Sequence, residues 1–447
     1  MFTNYIKLAI RVLGRNKFFT AITLFGISFT LAILMLIISM METEVGSTQP
    51  LTQKDKMILL PTLSLKKQFY DTIYTFDTLL INEVVTIDTT YRLEEAGSNN
   101  SNNQFAWSYL NKHLSEISSA KTYSFFNMGN SFNAYVNNSK VEMKTVYTDH
   151  RFWEVFDFNF REGFGFSESS VDQQEKVAVI TTKLAENYFG KKTGVLNEYI
   201  EMDGNSFKVM GVIDPPGVSL LTTDIVVPHT LQNVVGRAED IGFGGYMAVF
   251  LAEEESDMQK IKDEVAVVNS SLTVHPDVQE YYNEVRLKTF TYFEIYSDAI
   301  LNLDDDDTQG RSLSVLKWIM IGLLSFFILL PTLNLINLNV SRIMERSSEI
   351  GVRKAFGATQ TNILGQFIVE NIVQTILGGI LGMGLAMIMI KMINDAGLLG
   401  DILLKINYKF YIYSLIICLL FGLLSGLLPA YRMSKLHVVN ALKQTKS

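Results

Sequence analysis

The run Gly190-Lys191-Lys192-Thr193 resembles the end of a phosphate-binding loop. A complete loop of that kind needs a second glycine five positions earlier, because its backbone N–H groups must approach the phosphates closely. That position is occupied by Ala185. The run is therefore predicted to form a surface turn, and no nucleotide-binding loop is recognised in the sequence.

Acidic and histidine side chains are the other groups that could bind a ligand. Asp304 to Asp307 form an unbroken run of four carboxylates, whereas an EF-hand loop alternates its ligands and contains a glycine. We predict a solvated acidic linker at this position. The histidines show no ligand spacing, and no Ser-His-Asp or Cys-His set is recognisable; they are His113, His150, His229, His275 and His437. The sequence therefore predicts no catalytic residue, no metal site and no cofactor bound by this chain.

A charged segment at 341–367 carries more information. Its charged residues recur at spacings of three and four along one helical face, with opposite signs one turn apart, and they are Arg342, Glu345, Arg346, Glu349 and Arg353. Gly357 then interrupts the helical pattern. A short charged helix of this kind suits docking to a soluble protein, and it equally suits an interfacial helix bound to lipid headgroups. Both alternatives stay open on these grounds.

The elements that must position this segment are four uncharged stretches of at least 20 residues. They are 18–41, 318–341, 371–390 and 410–431. An α-helix rises about 1.5 Å per residue, so each stretch can cross the roughly 30 Å hydrocarbon core of a membrane. The first stretch is far longer than the apolar part of a signal peptide, and Ser39-Met40-Met41 is not a small-residue cleavage site. The sequence predicts four transmembrane helices.

Basic residues predict the orientation of these helices. Four Lys or Arg and no acidic residue precede the first helix, whereas Glu42 and Glu44 follow it. The loop that contains Lys391, Lys405 and Lys409 is the one exception to the positive-inside rule. The rule predicts cytoplasmic segments at 1–17, 342–370 and 432–447 and external segments at 42–317 and 391–409.

The external segment 42–317 is strongly acidic. It carries 41 Asp or Glu and 23 Lys or Arg, whereas the whole chain has a net charge of −8. An acidic external domain on a basic cytoplasmic frame argues against nucleic acid as a partner. Cys418 is the single cysteine and lies in the fourth predicted helix, so no disulfide is expected in the external domain.

Helical and strand patterns alternate in the external segment, which predicts an α+β domain. Thr181 or Thr182 is expected to cap a helix that ends at Gly190, Ser256 is expected to cap another, and residues 98–103 are expected to form a polar loop. The predicted helices are 105–117, 182–189 and 256–268, and the predicted strands are 132–136, 140–147, 177–180 and 207–213.

Small residues and one proline stand out in the membrane segments. Gly378, Gly382, Gly422 and Gly426 form two pairs at four-residue spacing, which permits close contact between helices and favours packing within the subunit over dimerisation. Pro331 removes one backbone hydrogen bond and is a candidate hinge. The four predicted helices contain no charged residue, which argues against an ion-driven pump.

The block Glu345–Ala358, ERSSEIGVRKAFGA, resembles the signature of the MacB/FtsX/LolC-type permeases, the mechanotransmission (type VII) class of ABC transporters. Segments near both termini, 9–17, 428–432 and 438–443, are similar to the same family. Segments of the external domain resemble its MacB-like periplasmic domain, namely 152–156, 180–190 and 209–212. The resemblance spans nearly the whole chain.

The resemblance implies a non-catalytic permease subunit that pairs with a second copy or a paralogue. The segment 342–356 would be a coupling helix that fits a groove in an ABC ATPase. MacB carries its ATPase fused at the N-terminus, but only 17 residues precede the first helix here, so we expect the ATPase, with its ATP and Mg, in a separate chain. The coupling residues implied are Arg342, Glu345, Arg346, Glu349, Gly351, Arg353, Lys354 and Gly357.

The expected function is MacB-like tripartite export of a peptide, toxin or other small amphipathic substrate from the bacterial inner membrane, with a periplasmic adaptor and an outer-membrane channel. Alternatives within the same architecture are lipoprotein extraction and FtsX-like signalling to a cell-wall hydrolase. A sensor or adhesion domain on a membrane anchor is a further alternative, disfavoured because no kinase-like or HAMP-like segment follows the helices.

Overall fold

The computed structural model divides the chain into two compact units. The β unit comprises Ser47–Asn302, and the helical unit comprises Met1–Gly46 together with Leu303–Ser447. The residues that the structure describes are 17–46, 49–81, 84–136, 139–217, 221–232, 241–303, 310–345 and 359–399, with single positions from 7 to 15, at 352, 356 and 357, and from 404 to 423.

Strands and helices alternate along the β unit. Its strands are β1 Met57–Leu60, β2 Leu63–Ile81, β3 Val84–Asn103, β4 Thr122–Val136, β5 Ser139–Thr148, β6 Phe160–Gly163, β7 Val177–Thr181, β8 Tyr199–Met202, β9 Asn205–Ile213, β10 Ile225–Pro228, β11 Tyr246–Leu251, β12 Glu284–Leu287 and β13 Phe290–Thr291. The α-helices of the two units are α1 Lys17–Val45, α2 Trp107–Leu114, α3 Phe152–Val155, α4 Glu168–Asp172, α5 Thr182–Phe189, α6 Met258–Ser271, α7 Tyr292–Leu301, α8 Arg311–Glu345 and α9 Gln360–Asp395.

One large mixed sheet organises the β unit. Its strand order in the described part of the chain is β13-β1-β11-β4-β5-β10-β7-β9-β6, and β8 pairs with β9. Strand β10 runs parallel to β5 and β7 runs parallel to β9, whereas the other pairs are antiparallel. The predicted α+β class is confirmed.

Both faces of this sheet are covered, and strand β1 shows why. All four residues of β1 are apolar and buried. Ile58 and Leu60 belong to one hydrophobic core, whereas Met57 and Leu59 belong to another, because successive side chains of a strand point to opposite faces. Helices α2, α5 and α6 contribute to the first core, and α3, α4 and α7 contribute to the second.

A second sheet contains a long ribbon of two strands. Strand β2 pairs with β3 over its whole length, and β12 pairs with β2 at Leu63 to Lys66. The polar loop predicted at 98–103 is wrong, because these residues end strand β3 and Ser98 pairs with Gln68. Polar residues are tolerated there because the strand is mostly exposed and β2 supplies the backbone partners.

Helix ends in the β unit follow the predicted pattern at one helix and depart from it at another. The Thr181 hydroxyl accepts a hydrogen bond from the Leu184 N–H at 3.1 Å, and α5 ends at Gly190 with a left-handed φ of 73°. The predicted cap at Ser256 is wrong: a 3₁₀ turn at Glu255–Asp257 precedes α6, and no side chain caps that helix. Helix α2 is shorter than predicted, since it begins at Trp107 and ends at Leu114.

The helical unit contains α1, α8 and α9. Two described stretches, Thr20–Thr43 and Thr361–Asp395, are long and apolar enough to cross a membrane. Helix α8 contains the span predicted at 318–341, including Pro331. The span predicted at 410–431 lies largely outside the described residues, although several positions from 408 to 423 are helical.

Candidate functional site

The segment predicted to contact an ATPase begins inside helix α8, which runs through Arg342 and ends at Glu345. The Phe356 N–H donates to the Val352 carbonyl at 3.1 Å, as in one helical turn. Gly357 follows with φ = 91°, a conformation that favours glycine. The remaining predicted coupling residues lie outside the described part of the chain; they are Arg346, Glu349, Gly351, Arg353 and Lys354.

An exposed aromatic side chain lies within this charged block. Phe356 is 89% exposed and Val352 is 47% exposed. Helix α9 then begins at Gln360, where the Thr359 hydroxyl accepts a hydrogen bond from the Asn362 N–H at 3.3 Å. Phe356 thus presents a phenyl ring to its surroundings, which suits docking to a protein or insertion among lipid headgroups.

Two glycines on α9 allow close contact with α1. A Cβ atom on Gly378 would lie 2.6 Å from Ile27 Cγ2, and one on Gly382 would lie 2.9 Å from the Ser28 carbonyl oxygen. Both distances are too short for a real side chain, so only glycine permits this packing. The contact joins two helices of the same subunit. Gly422 and Gly426 lie outside the described residues.

The neighbouring Gly379 contacts the region of the fourth predicted span. The Tyr411 hydroxyl donates a 2.6 Å hydrogen bond to the Gly379 carbonyl oxygen, and both groups are buried. A Cβ atom on Gly379 would lie 2.5 Å from Leu415 Cδ1. Consecutive glycines at 378 and 379 therefore let α9 approach two different parts of the helical unit. The role of Pro331 as a hinge stays a prediction, because its side chain lies outside the described residues.

A cluster of polar side chains on α9 was missed in the sequence. Glu370, Asn371, Gln374 and Thr375 are all buried. The Gln374 side-chain amide donates to the Glu370 carboxylate at 3.5 Å, and the Thr375 hydroxyl donates to the Asn371 carbonyl at 2.9 Å. The four-residue spacing of Glu370 with Gln374, and of Asn371 with Thr375, is the sequence pattern that could have predicted this cluster. Helix α9 extends beyond the span predicted at 371–390, since it begins at Gln360 and ends at Asp395; the bounds of that span stay a prediction.

The β unit contains the run first compared with a phosphate-binding loop. Lys191 Nζ donates to the Gly194 carbonyl at 2.6 Å, and the Gly194 N–H donates to the Glu162 carboxylate. This is a surface turn, as predicted. The described residues contain no group of three or more His, Cys, Asp or Glu that could hold a metal ion. The acidic run 304–307 lies outside those residues.

Two buried titratable side chains in the β unit have shifted pKa values. Burial raises the pKa of Asp149, although hydrogen bonds from the Ser124 hydroxyl and the Phe125 N–H act in the opposite direction. Burial lowers the pKa of His229 to about 4, and its ring contacts that of Trp107 at an interplanar angle of 49°. His229 is therefore neutral at pH 7 and packs, partly buried, against Trp107.

Comparison with known families identifies the architecture. Residues 20–268, more than half of the chain, match the model of the MacB-like periplasmic core domain. The chain belongs to the MacB/FtsX-type permease family. A second model, the FtsX-like permease C-terminal domain, matches residues 321–438 of this permease and includes the charged block. Membership of the ABC transporter permeases and the presence of membrane helices are thereby established.

Curated relatives of this MacB/FtsX-type permease include exporters. The pyoverdine export ATP-binding/permease protein PvdT of Pseudomonas fluorescens is 25% identical over 299 residues, which are 66% of this chain and 42% of the relative. The macrolide export ATP-binding/permease protein MacB of Psychrobacter cryohalolentis is 27% identical over 289 residues, 63% of this chain and 40% of the relative. The permease therefore matches less than half the length of these relatives.

Two solved structures are similar to parts of this permease. The periplasmic region of MacB from Actinobacillus actinomycetemcomitans gives a TM-score of 0.34 at 15% identity, covering 45% of this chain and 86% of that one. A domain of a permease protein from Porphyromonas gingivalis gives a TM-score of 0.36 at 12% identity, covering 55% and 92%.

Proposed function

We propose that this chain is the permease subunit of an ABC transporter and couples ATP hydrolysis by a separate ATPase chain to movement of its β unit. In this proposal the β unit is periplasmic, both termini are cytoplasmic, and the charged block beginning at Arg342 is the ATPase-docking segment. Membership of the MacB/FtsX-type family supports the general role.

The observation that carries the proposal is the length and position of helix α8. It contains 35 residues and so spans roughly 50 Å, well beyond the roughly 30 Å hydrocarbon core. In sequence it begins nine residues after Asn302, the last residue of the β unit, and ends at Glu345 in the charged block. Along the chain, one continuous helix therefore lies between the β unit and the proposed docking segment.

Helix α1 provides a second covalent connection to the β unit. It contains 29 residues and ends at Val45, two positions before the β unit begins at Ser47. Glycines on α9 allow that helix to pack closely against α1. A shift of the docking segment can thus reach the β unit through α8 directly, and through α9 and α1 by packing.

The proposed cargo is a small amphipathic molecule, by analogy with the pyoverdine and macrolide named for the relatives. In the proposal a second permease copy or a paralogue completes the transporter in the bacterial inner membrane, together with a periplasmic adaptor and an outer-membrane channel. The chain itself binds neither ATP nor Mg, which belong to the ATPase.

The docking assignment is tested by reversing charge in the block. The double variant Glu349→Arg, Arg353→Glu should lose the ATPase when the permease is affinity-purified in mild detergent, because each reversed side chain would face a like charge in the ATPase groove. Lys391→Glu, at an exposed lysine near the other end of α9, is the matched control and should retain the ATPase. Retention by the double variant would refute the assignment.

A further inference from the structure

A cavity of about 370 Å³ lies within the β unit. It is formed by helix α2, the first residues of strand β2, the segment 271–276 that ends α6 and follows it, and Val285 of β12. This volume falls in the range of small-molecule sites, which are roughly 300–1,000 Å³.

Part of the cavity lining is apolar. Leu63 and Leu65 from β2, Val285 from the adjacent strand β12 and Val274 are all buried and contribute to the first hydrophobic core. Branched aliphatic side chains in fixed positions on a sheet give a rigid wall that a hydrocarbon chain can cover favourably.

Polar and cationic groups also line the cavity. Lys112 and His113 are consecutive residues on α2, and the ring of Tyr109 lies 4.6 Å from that of His113. Gly242 leaves room for the Tyr109 ring, because a Cβ atom there would lie 2.5 Å from Tyr109 Cδ2. Burial, with a contribution from the Lys112 charge, lowers the pKa of His113, so Lys112 supplies the positive charge at neutral pH.

A second histidine adds a hydrogen-bond donor to the cavity. His275 Nδ1 accepts a hydrogen bond from the Asp277 N–H at 3.3 Å. Because Nδ1 accepts this hydrogen bond, the ring N–H group lies at Nε2, where it can donate to a ligand. Ser108, Ser271 and Thr273 supply further hydroxyl groups on the rim.

The described residues of the cavity lining differ in charge from the domain as a whole. None of the described residues that line the cavity is acidic, although the segment 42–317 carries 41 acidic and 23 basic residues. Acidic side chains thus dominate that segment, whereas the described part of the lining contains a lysine and two histidines. An anion is favoured here over a cation.

We propose that this cavity binds an anionic amphiphile, with a carboxylate or phosphate group near Lys112 and His275 and an aliphatic chain against Leu63, Leu65 and Val285. The inference rests on the β unit alone and holds whether or not the chain transports its ligand. A failure of the ATPase-docking test would leave it unaffected.

The test is isothermal titration of the full chain in nanodiscs, with empty nanodiscs as the baseline. The probes are octanoate and octyl phosphate, which carry the same chain and different anionic groups, and octyltrimethylammonium as the cationic control. At least one anion should bind, and the cation should bind at least about tenfold more weakly. Tighter binding of octanoate would indicate a carboxylate ligand, and tighter binding of octyl phosphate would indicate a phosphate ligand. Equal binding of the cation, or no binding of either anion, would overturn the proposal.

Variants locate the binding to the cavity. Lys112→Gln should weaken anion binding about fivefold, as expected for loss of one partly solvated charge contact. Ser108→Trp should abolish it by filling the mouth of the cavity, and Lys208→Gln, an exposed lysine of the same domain outside the cavity, should leave it unchanged. Wild-type affinity in both Lys112→Gln and Ser108→Trp would contradict the assignment.

Discussion

Gly378 and Ile27 lie so close that a Cβ atom on residue 378 would be 2.6 Å from Ile27 Cγ2. The contact joins α9 to α1, the helix that leads directly into the β unit. Close packing makes such a pair of helices move together, because a packed interface transmits strain. In the proposed mechanism this contact is one route from the docking segment to the β unit.

Enlarging Gly378 should therefore separate the two helices. Gly378→Leu is expected to destabilise the helical unit by about 1–3 kcal/mol through overpacking, measured as a lower thermal unfolding midpoint of the purified chain in detergent. Gly384→Leu is the matched control on the same helix, since a Cβ there has no atom within 4 Å. Adding Ile27→Ala should restore part of the stability of Gly378→Leu but not alter the control. Equal effects of the two leucine variants would contradict the contact.

Helix α7, which contributes to the second hydrophobic core, begins with a side-chain cap. The Thr291 hydroxyl accepts a hydrogen bond from the Glu294 N–H at 3.3 Å, while the Glu294 carboxylate accepts one from the Thr291 N–H at 2.7 Å. Thr291→Ala should lower the unfolding free energy of the β unit by about 1 kcal/mol, measured by urea denaturation. Thr193→Ala, in the exposed turn, should change it by less than about 0.5 kcal/mol. An unchanged unfolding free energy for Thr291→Ala would show that the cap contributes nothing.

His229 should make the β unit less stable in acid. Its pKa is about 4 in the folded protein, below the ordinary value of 6.5. Below pH 6.5 the unfolded chain binds a proton that the folded chain does not, so stability is lost as the pH falls from about 6.5 to about 4, by up to about 3 kcal/mol. His229→Phe, which keeps a ring against Trp107, should remove this loss.

The measurement is the difference in unfolding free energy between wild type and His229→Phe, at pH 7.5 and pH 4.5. The comparison is needed because Asp149, whose pKa is raised, contributes in the opposite direction: its contribution falls as pH rises through the folded pKa. Since Asp149 is present in both proteins, its effect cancels. A difference that does not change with pH would exclude a neutral, buried His229.

Sequence patterns correctly predicted those helices whose position depends on neighbouring residues alone. Thr181 and Gly190 mark the two ends of α5, because a hydroxyl cap and a left-handed glycine are properties of a few neighbouring residues. The long apolar runs likewise predicted helices over α1, α8 and α9. The charged block from Arg342 carried the family resemblance that the MacB and FtsX models confirm.

Features that depend on distant residues were not predictable in this way. Ser98 lies in a strand because Gln68 pairs with it, and nothing in the polar run 98–103 itself favours a strand. Glu370 is buried, although it lies just before the uncharged run 371–390 that predicted the helix. The cavity next to Lys112 requires segments more than 100 residues apart to meet, so no local motif could reveal it.

The central claim is that nucleotide turnover in a partner ATPase moves the β unit. It is tested most directly by hydrogen–deuterium exchange of the permease–ATPase complex, comparing an ATP-trapped state with the ADP state and using the permease alone with ATP as the control. The account predicts that exchange of backbone amides within residues 47–302 changes between the two nucleotide states and not in the control. Identical exchange across 47–302, in a complex that hydrolyses ATP, would contradict it.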